Sequence, residues 1–328
     1  MKSDRVTVAV TGVGAPLGQS IIRAGLASLR RYRLIAMDIS DEESAIFPDL
    51  SYRKSSHISS PTYQEDLERI LRDERVDLLY LGAEREMLGV ATLQSEIEAR
   101  TGSRIALSGK TALEIGTDKL KTAELVRDAG LPYPRSRELS GEWPDILDFA
   151  EEIGYPCVVK GRRAGLPFIL RNQDDLAYQY RNYTDAVIQE FLGSEEETKE
   201  YTVGVFYTPE HGVIDSYCMS RLLRYGLTWR GKYEKNFEVE GVCRQAVEAL
   251  KPRGSVNVQL RYHKGVPVVH EFNVRCSSST VFRALSGWNE IDMAVDYFVL
   301  RKRPETPKSI KPGFAIRYFQ ETWIEAEG

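Results

Sequence analysis

The stretch from Ser255 to Thr280, SVNVQLRYHKGVPVVHEFNVRCSSST, constrains this chain most, because apolar and polar residues alternate on both sides of a turn. Val256, Val258 and Leu260 alternate with Asn257, Gln259 and Arg261. Beyond the turn, Phe272 and Val274 alternate with Glu271, Asn273 and Arg275. Period two sends successive side chains to opposite faces of a strand, so the pattern predicts an antiparallel hairpin with one apolar and one polar face. A three-residue loop, His263-Lys264-Gly265, uses Gly265 at the left-handed position such loops need. That loop length sets Asn257 and Gln259 on the same face as Glu271 and Asn273, whereas a two-residue loop separates them. One carboxylate among amide oxygens suits a hard divalent cation, and magnesium takes its remaining ligands from waters and substrate phosphates. The same face also suits a surface hairpin that only meets water, so other parts of the chain decide between the two.

The N-terminal part alternates strand and helix. Val6 to Val10 reads as a strand, Thr11-Gly12-Val13-Gly14-Ala15-Pro16-Leu17-Gly18 as a turn, Gln19 to Leu29 as a helix and Arg33 to Met37 as a second strand ending at Asp38. Helices over 63–75 and 87–101 and strands over 76–81 and 104–107 continue the alternation into a doubly wound α/β unit. Gly12, Gly14, Gly18 and Asp38 also support an alternative, a nicotinamide-dependent oxidoreductase, because the acid stands about twenty residues beyond the last glycine. The glycines read GxGxxxG, Pro16 interrupts the turn and no Tyr-x-x-x-Lys pair occurs, so simple packing is the better use of this turn. Glu84 and Glu86 follow the 76–81 strand at the end where open α/β sheets hold ligands; they read as contacts for a substrate amine or as an exposed turn.

The pattern changes near Thr117. Asp118-Lys119 opens a helix that ends at Ala129-Gly130, and Cys157-Val158-Val159-Lys160 reads as a strand ending in a lysine able to meet a phosphate. Gly161 to Gly165 then forms a hairpin tip, and strands follow over 186–192 and 200–206. The acidic run Glu195-Glu196-Glu197 between them reads as a solvated face. A strand over 214–220, a loop over 221–235, helices over 239–250 and 288–300 and a polar tail with a strand over 314–319 complete the chain; the N-terminal domain, the 221–235 loop and residues near 277–279 are expected to build the substrate pocket. A net charge of −4 with scattered Lys and Arg gives no basic stripe for nucleic acid. Four separated cysteines and four histidines without metal spacing indicate neither a disulfide framework nor zinc. No apolar run reaches membrane-spanning length and the N-terminus lacks a signal-peptide pattern, so a cytoplasmic protein is expected.

In this order the motifs resemble the ATP-grasp ligases, and within them one ATP-grasp half of the carbamoyl phosphate synthase large subunit with the α/β domain that precedes it. The resemblance implies a Rossmann-like pre-ATP-grasp domain over residues 1–116, an α+β ATP-grasp domain of two lobes over 117–305 with its hinge near 189–192, and a tail over 306–328. Lys119 in GTDK and Lys160 in YPCVVK match the cations that meet ATP phosphates, with Lys160 also in a catalytic role. Gln189, Glu190, Phe191 and Leu192 match the adenine-side hinge, and Glu200 the ribose-binding acid. Gln259, Glu271 and Asn273 match the magnesium ligands, with manganese an alternative metal, and Arg275 the catalytic arginine that meets phosphate and acyl-phosphate charge. Val274 stands where relatives with carbamoyl phosphate activity have proline, and Ser278 replaces their second arginine. The resemblance thus implies an ATP- and magnesium-dependent ligase joining a small carboxylate to an amine through an acyl phosphate. A homodimer is also expected, and the competing non-enzymatic reading is a nucleotide-binding regulatory protein without turnover.

Overall fold

A computed structural model describes residues 5–163, 165–194 and 198–324. The acidic run Glu195–Glu197 and Ala164 at the hairpin tip lie outside the described residues. The first unit comprises β1 (Thr7–Val10), α1 (Pro16–Leu26), β2 (Arg33–Asp38), β3 (Ser51–Lys54), α2 (Tyr63–Asp73), β4 (Leu78–Tyr80), α3 (Glu84–Thr101) and β5 (Arg104–Ile105). Its five strands are all parallel in the order β3-β2-β1-β4-β5. Central strands of such a sheet are covered on both faces, which is why β1 reads TVAV and is buried throughout. Pro16 opens α1 at a position where its missing N–H costs nothing.

The chain continues through α4 (Lys110–Gly116) and α5 (Lys119–Asp128) into β6 (Ser136–Glu138), α6 (Trp143–Ile153), β7 (Cys157–Gly161), β8 (Phe168–Leu170), α7 (Gln173–Asn182) and β9 (Ala186–Glu190). Here four strands pair antiparallel in the order β6-β9-β7-β8. The larger antiparallel sheet follows: β10 (Glu200–Thr208), β11 (Gly212–Arg224), β12 (Leu227–Tyr233), α8 (Phe237–Leu250), β13 (Gly254–His263), β14 (Val266–Asn273), α9 (Thr280–Leu285), α10 (Glu290–Ala294) and β15 (Phe314–Ile316). Its strand order is β14-β13-β10-β11-β12-β15, and β10 is buried at every residue. Ala9, Ile35 and Leu79 of the parallel sheet share one apolar core with Val203, Val258 and Phe272 of the large sheet. That shared core seats the carboxyl end of the first unit against the β13–β14 hairpin.

Four expectations change. The segment from Arg221 to Lys235 is not a loop but the β11–β12 hairpin, because Leu222, Leu223, Leu227 and Thr228 can pair across Tyr225-Gly226. The helix over 288–300 divides into α10 and a wider π turn over Val295–Val299. The third helix starts at Glu84, not Met87, so Glu84 and Glu86 lie in its first turn, where acids complement the helix dipole. Finally, His263 pairs with Val266, leaving Lys264 and Gly265 as a two-residue turn with φ of 50° and 83°. Two central residues at positive φ suit the right-handed twist of the flanking strands better than the expected three-residue loop.

That shorter turn alone separates the polar residues of the two strands, yet Gln259 pairs with Glu271 and Asn257 with Asn273. The register shifts between Gln259 and Leu260, whose partner is Val269, so His270 is the extra residue of a β-bulge. The bulge restores the shared face that the turn removes.

Candidate active site

The hairpin face forms one wall of a cavity of about 360 Å³ lined by Asn257, Gln259, Glu271, Asn273 and Arg275 from the large sheet and by Ala15, Gly82 and Glu84 from the first unit. Asn273 Nδ2 donates to Glu271 Oε1 at 3.1 Å, which orients the amide beside the carboxylate. Gln259 Oε1 accepts from Arg221 at 2.6 Å, so this oxygen faces a guanidinium. Arg275 turns back toward the first unit, where its guanidinium lies 3.9 Å from Glu84. As a donor set, one carboxylate and neighbouring amides fit a hard cation that completes its shell with water and phosphate oxygens.

Lys160 on β7 and Lys119 at the start of α5 reach the same region. Burial pushes the Lys160 ammonium down to about 8 against the pull of Glu271, and Lys119 and Arg261 press it the same way. Asp118 caps α5 by accepting from the backbone of Leu120 and Lys121, and it also holds Arg162 of the hairpin tip at 2.8 Å. Lys119 Nζ donates to the Arg163 carbonyl at 3.2 Å. The strand end, the helix start and the tip are thereby tied into one cationic corner.

Gln189, Glu190, Phe191 and Leu192 follow at the end of β9. Gln189 is buried and its amide donates to Ser136 at 2.7 Å, and Leu192 is buried as well. Glu190 accepts from Lys264 at 2.9 Å and lies 3.4 Å from His263. Burial opposes its ionisation, but Lys264 and the Arg135 N–H overcome that and hold the carboxyl below its usual range. The tip of the late hairpin thus docks on the segment between the two antiparallel sheets.

Glu200 is buried and both its oxygens are committed: Arg221 binds Oε1 and Arg261 binds Oε2 at 2.7 Å. The pairing follows from register, since Glu200 stands opposite Arg221 on β11 and Arg261 on β13. Burial alone raises this carboxyl, but Arg221, His270 and Arg261 bring it down to about 2. Sequence reasoning set the segment that begins at Arg221 around the substrate pocket but gave Arg221 itself no role. Strand pairing brings it to the cavity that also holds Ser278.

A second polar layer lies beneath. Arg283 and Glu290 are fully buried and 2.7 Å apart, and Arg283 also donates to Asn257 at 3.2 Å and Ser277 at 3.3 Å. Both of those acceptors line the cavity.

The glycine turn does not present a free phosphate cradle. Gly14 N–H donates to Asp38 at 2.8 Å, and a Cβ on Gly14 would meet the Glu43 carboxylate. A Cβ on Gly18 would strike the Gly12 carbonyl, so that glycine serves close packing of α1 on the turn. Two acids at the turn oppose a pyrophosphate, and nothing here favours a nicotinamide cofactor.

Residues 183–322 match the family described as ATP-grasp in the biosynthetic pathway with Ter operon. The chain is 32% identical over 162 residues to the D-alanine–D-alanine ligase of Chromohalobacter salexigens, a match covering 45% of this chain and 51% of that protein. It is 22% identical over 141 residues to the carbamoyl-phosphate synthase of Methanobrevibacter smithii, covering 42% and 38%. The biotin carboxylase domain of Hydrogenobacter thermophilus 2-oxoglutarate carboxylase, solved with MgADP, ADP and bicarbonate, superposes with a TM-score of 0.71 at 14% identity over 95% of this chain and 74% of that one.

The chain has the ATP-grasp fold. The chain spans about half the length, or less, of the curated relatives it matches. Among its described residues no helix is long and apolar enough to cross a membrane.

Proposed function

We propose that this chain is an ATP-dependent ligase joining a small carboxylate to an amine through an acyl phosphate. The observation that carries the reading is the convergence of Glu271, Asn273 and Arg275 on one wall with Lys160 and Arg221 close by. Lys119 and Lys160 hold the ATP phosphates, Gln189 to Leu192 receive the adenine, and residues 1–116, 117–305 and 306–328 act as the domains expected from sequence. Glu271 and Asn273, with Gln259 alongside, would hold magnesium or manganese, which when bound supplies charge neutralisation at the phosphates. The domain is cytoplasmic in this reading and works as a homodimer.

The chemistry asks for positioning and charge, not a side-chain nucleophile. A carboxylate oxygen of the acid forms a bond to the γ-phosphorus as the bond to the ADP oxygen breaks, giving an acyl phosphate. The amine nitrogen then bonds to the acyl carbon, the carbon–oxygen bond to phosphate breaks, and the nitrogen loses a proton. Arg275 and Arg221 meet the negative charge that moves between these oxygens. Arg221 supplies from β11 the cation that Ser278 does not.

The test is ADP release from ATP and magnesium with panels of small carboxylates and amines, in the native protein and in Glu271→Gln. The substitution nearly preserves volume, so the expected result is loss of ADP formation with unchanged circular dichroism. Equal turnover in the variant would overturn the assignment, and ATP binding without ADP from any pair would favour the regulatory reading.

A further inference from the structure

A cavity of about 870 Å³ opens at the carboxyl end of the parallel sheet where the strand order reverses between β1 and β4. It shares Ala15 and Glu84 with the wall of the candidate active site, so the two spaces adjoin. Its interior carries the carboxyl groups of Asp38, Glu43 and Glu86, whereas Arg85 and Arg163 stand exposed at its rim.

Glu86 sets this cavity apart. Among the described residues the buried acids Glu68, Glu74, Asp118, Glu200, Glu290 and Asp296 each form an ion pair with an arginine. Glu86 is 8% exposed, lines the cavity and has no cation in ion-pair range among them. Thr11 and Tyr63 donate their hydroxyls to its two oxygens, at 2.5 and 2.8 Å, and so fix the carboxyl without neutralising it. Each carboxylate oxygen can accept a further hydrogen bond. Burial raises the carboxyl, Thr11 and Tyr63 lower it, Asp38 raises it further and His57 lowers it slightly, leaving it above its usual range. A buried carboxyl in this state gains most from a cation that arrives with its own donors.

We infer that this cavity is the amine subsite: it binds a small primary amine as its ammonium, hydrogen-bonded to Glu86 and facing Asp38 and Glu43. The inference rests on the ligase reading for the amine's fate, but not for its binding. Arg85 and Arg163 at the rim suit an amine that also carries an anionic group, such as an amino acid. Once released of a proton, the amine would lie beside the wall where the acyl phosphate forms.

The test begins with the native protein and needs no turnover. Thermal stabilisation and calorimetric binding are measured with the standard amino acids, ethanolamine and putrescine, each against its N-acetyl derivative. Stabilisation by at least one amine and not by its acetylated form is expected. No binding, or equal binding of both forms, overturns the proposal. Glu86→Gln nearly keeps the volume, its amide oxygen accepting from one hydroxyl while its NH2 group donates to the other, and its affinity for the selected amine should fall roughly tenfold to a hundredfold, as loss of a charged hydrogen bond implies. ATP affinity measured without amine is the control. Unchanged amine affinity in a folded variant sinks the subsite while leaving the ligase assignment intact. Amine binding without ADP release from any pair sinks the ligase assignment while leaving the subsite. Should Glu86→Gln not fold, the comparison of amine and acetyl forms in the native protein still decides.

Discussion

Replacing Glu200 by Gln separates two roles for this acid. The resemblance assigns it to the ribose, but its two oxygens are held by Arg221 and Arg261. If it is chiefly the counterion of those arginines, its effect on stability follows from linkage. Its carboxyl lies at about 2 in the folded chain against an ordinary 4.5, so the ionised form is favoured by folding. A depressed acid contributes stability that is complete above its unfolded value and is lost as pH falls through the folded one. The difference amounts to about 3 kcal/mol at pH 7 and about 1 kcal/mol at pH 3. The uncharged amide of Glu200→Gln cannot make this contribution. Urea unfolding of both proteins at pH 7, 4 and 3 should therefore show a gap of about 3 kcal/mol that narrows with acid. ADP release should fall as well, because Arg221 loses the partner that aims it at Gln259. A gap below about 1 kcal/mol at pH 7, with a raised KM for ATP as the main effect, would refute the counterion argument and restore the ribose role.

Lys160 is about half neutral at pH 8, and bound triphosphate favours its charged form, so ATP binding should take up roughly half a proton there and about a tenth at pH 7. Calorimetry in buffers of different ionisation heat measures this, and equal uptake in Lys160→Arg would remove Lys160 as the source. Glu290→Gln leaves Arg283 buried without a countercharge and should cost about 3–5 kcal/mol in urea unfolding, while a loss under about 1 kcal/mol would mean the pair is relieved by water.

Much of the fold was legible because parallel strands buried on both faces read as short apolar runs and the late hairpin alternates with period two. Lys160 was legible for a similar reason, as the one charge in an apolar strand end. What escaped was set by tertiary pairing. The bulge at His270 is hidden because Val268-Val269-His270-Glu271 keeps no alternation that betrays an extra residue. Arg221 belongs to the site only through its register with Glu200, twenty-one residues away in the chain. Glu86 reads in the sequence as a substrate-amine contact or an exposed turn, and its burial is visible only once α3 starts at Glu84 and turns its carboxyl onto Thr11 and Tyr63, both distant in sequence.

The bulge in the late hairpin makes the facing of Glu271 a matter of parity. One residue missing from the tip and one surplus residue at His270 cancel, so an odd change at either position alone inverts Glu271 and Asn273 relative to Gln259, and a matched pair of changes does not. The tip can therefore keep its grip on Glu190 at one end of the ribbon while the other end retains its polar face, with length errors absorbed between them.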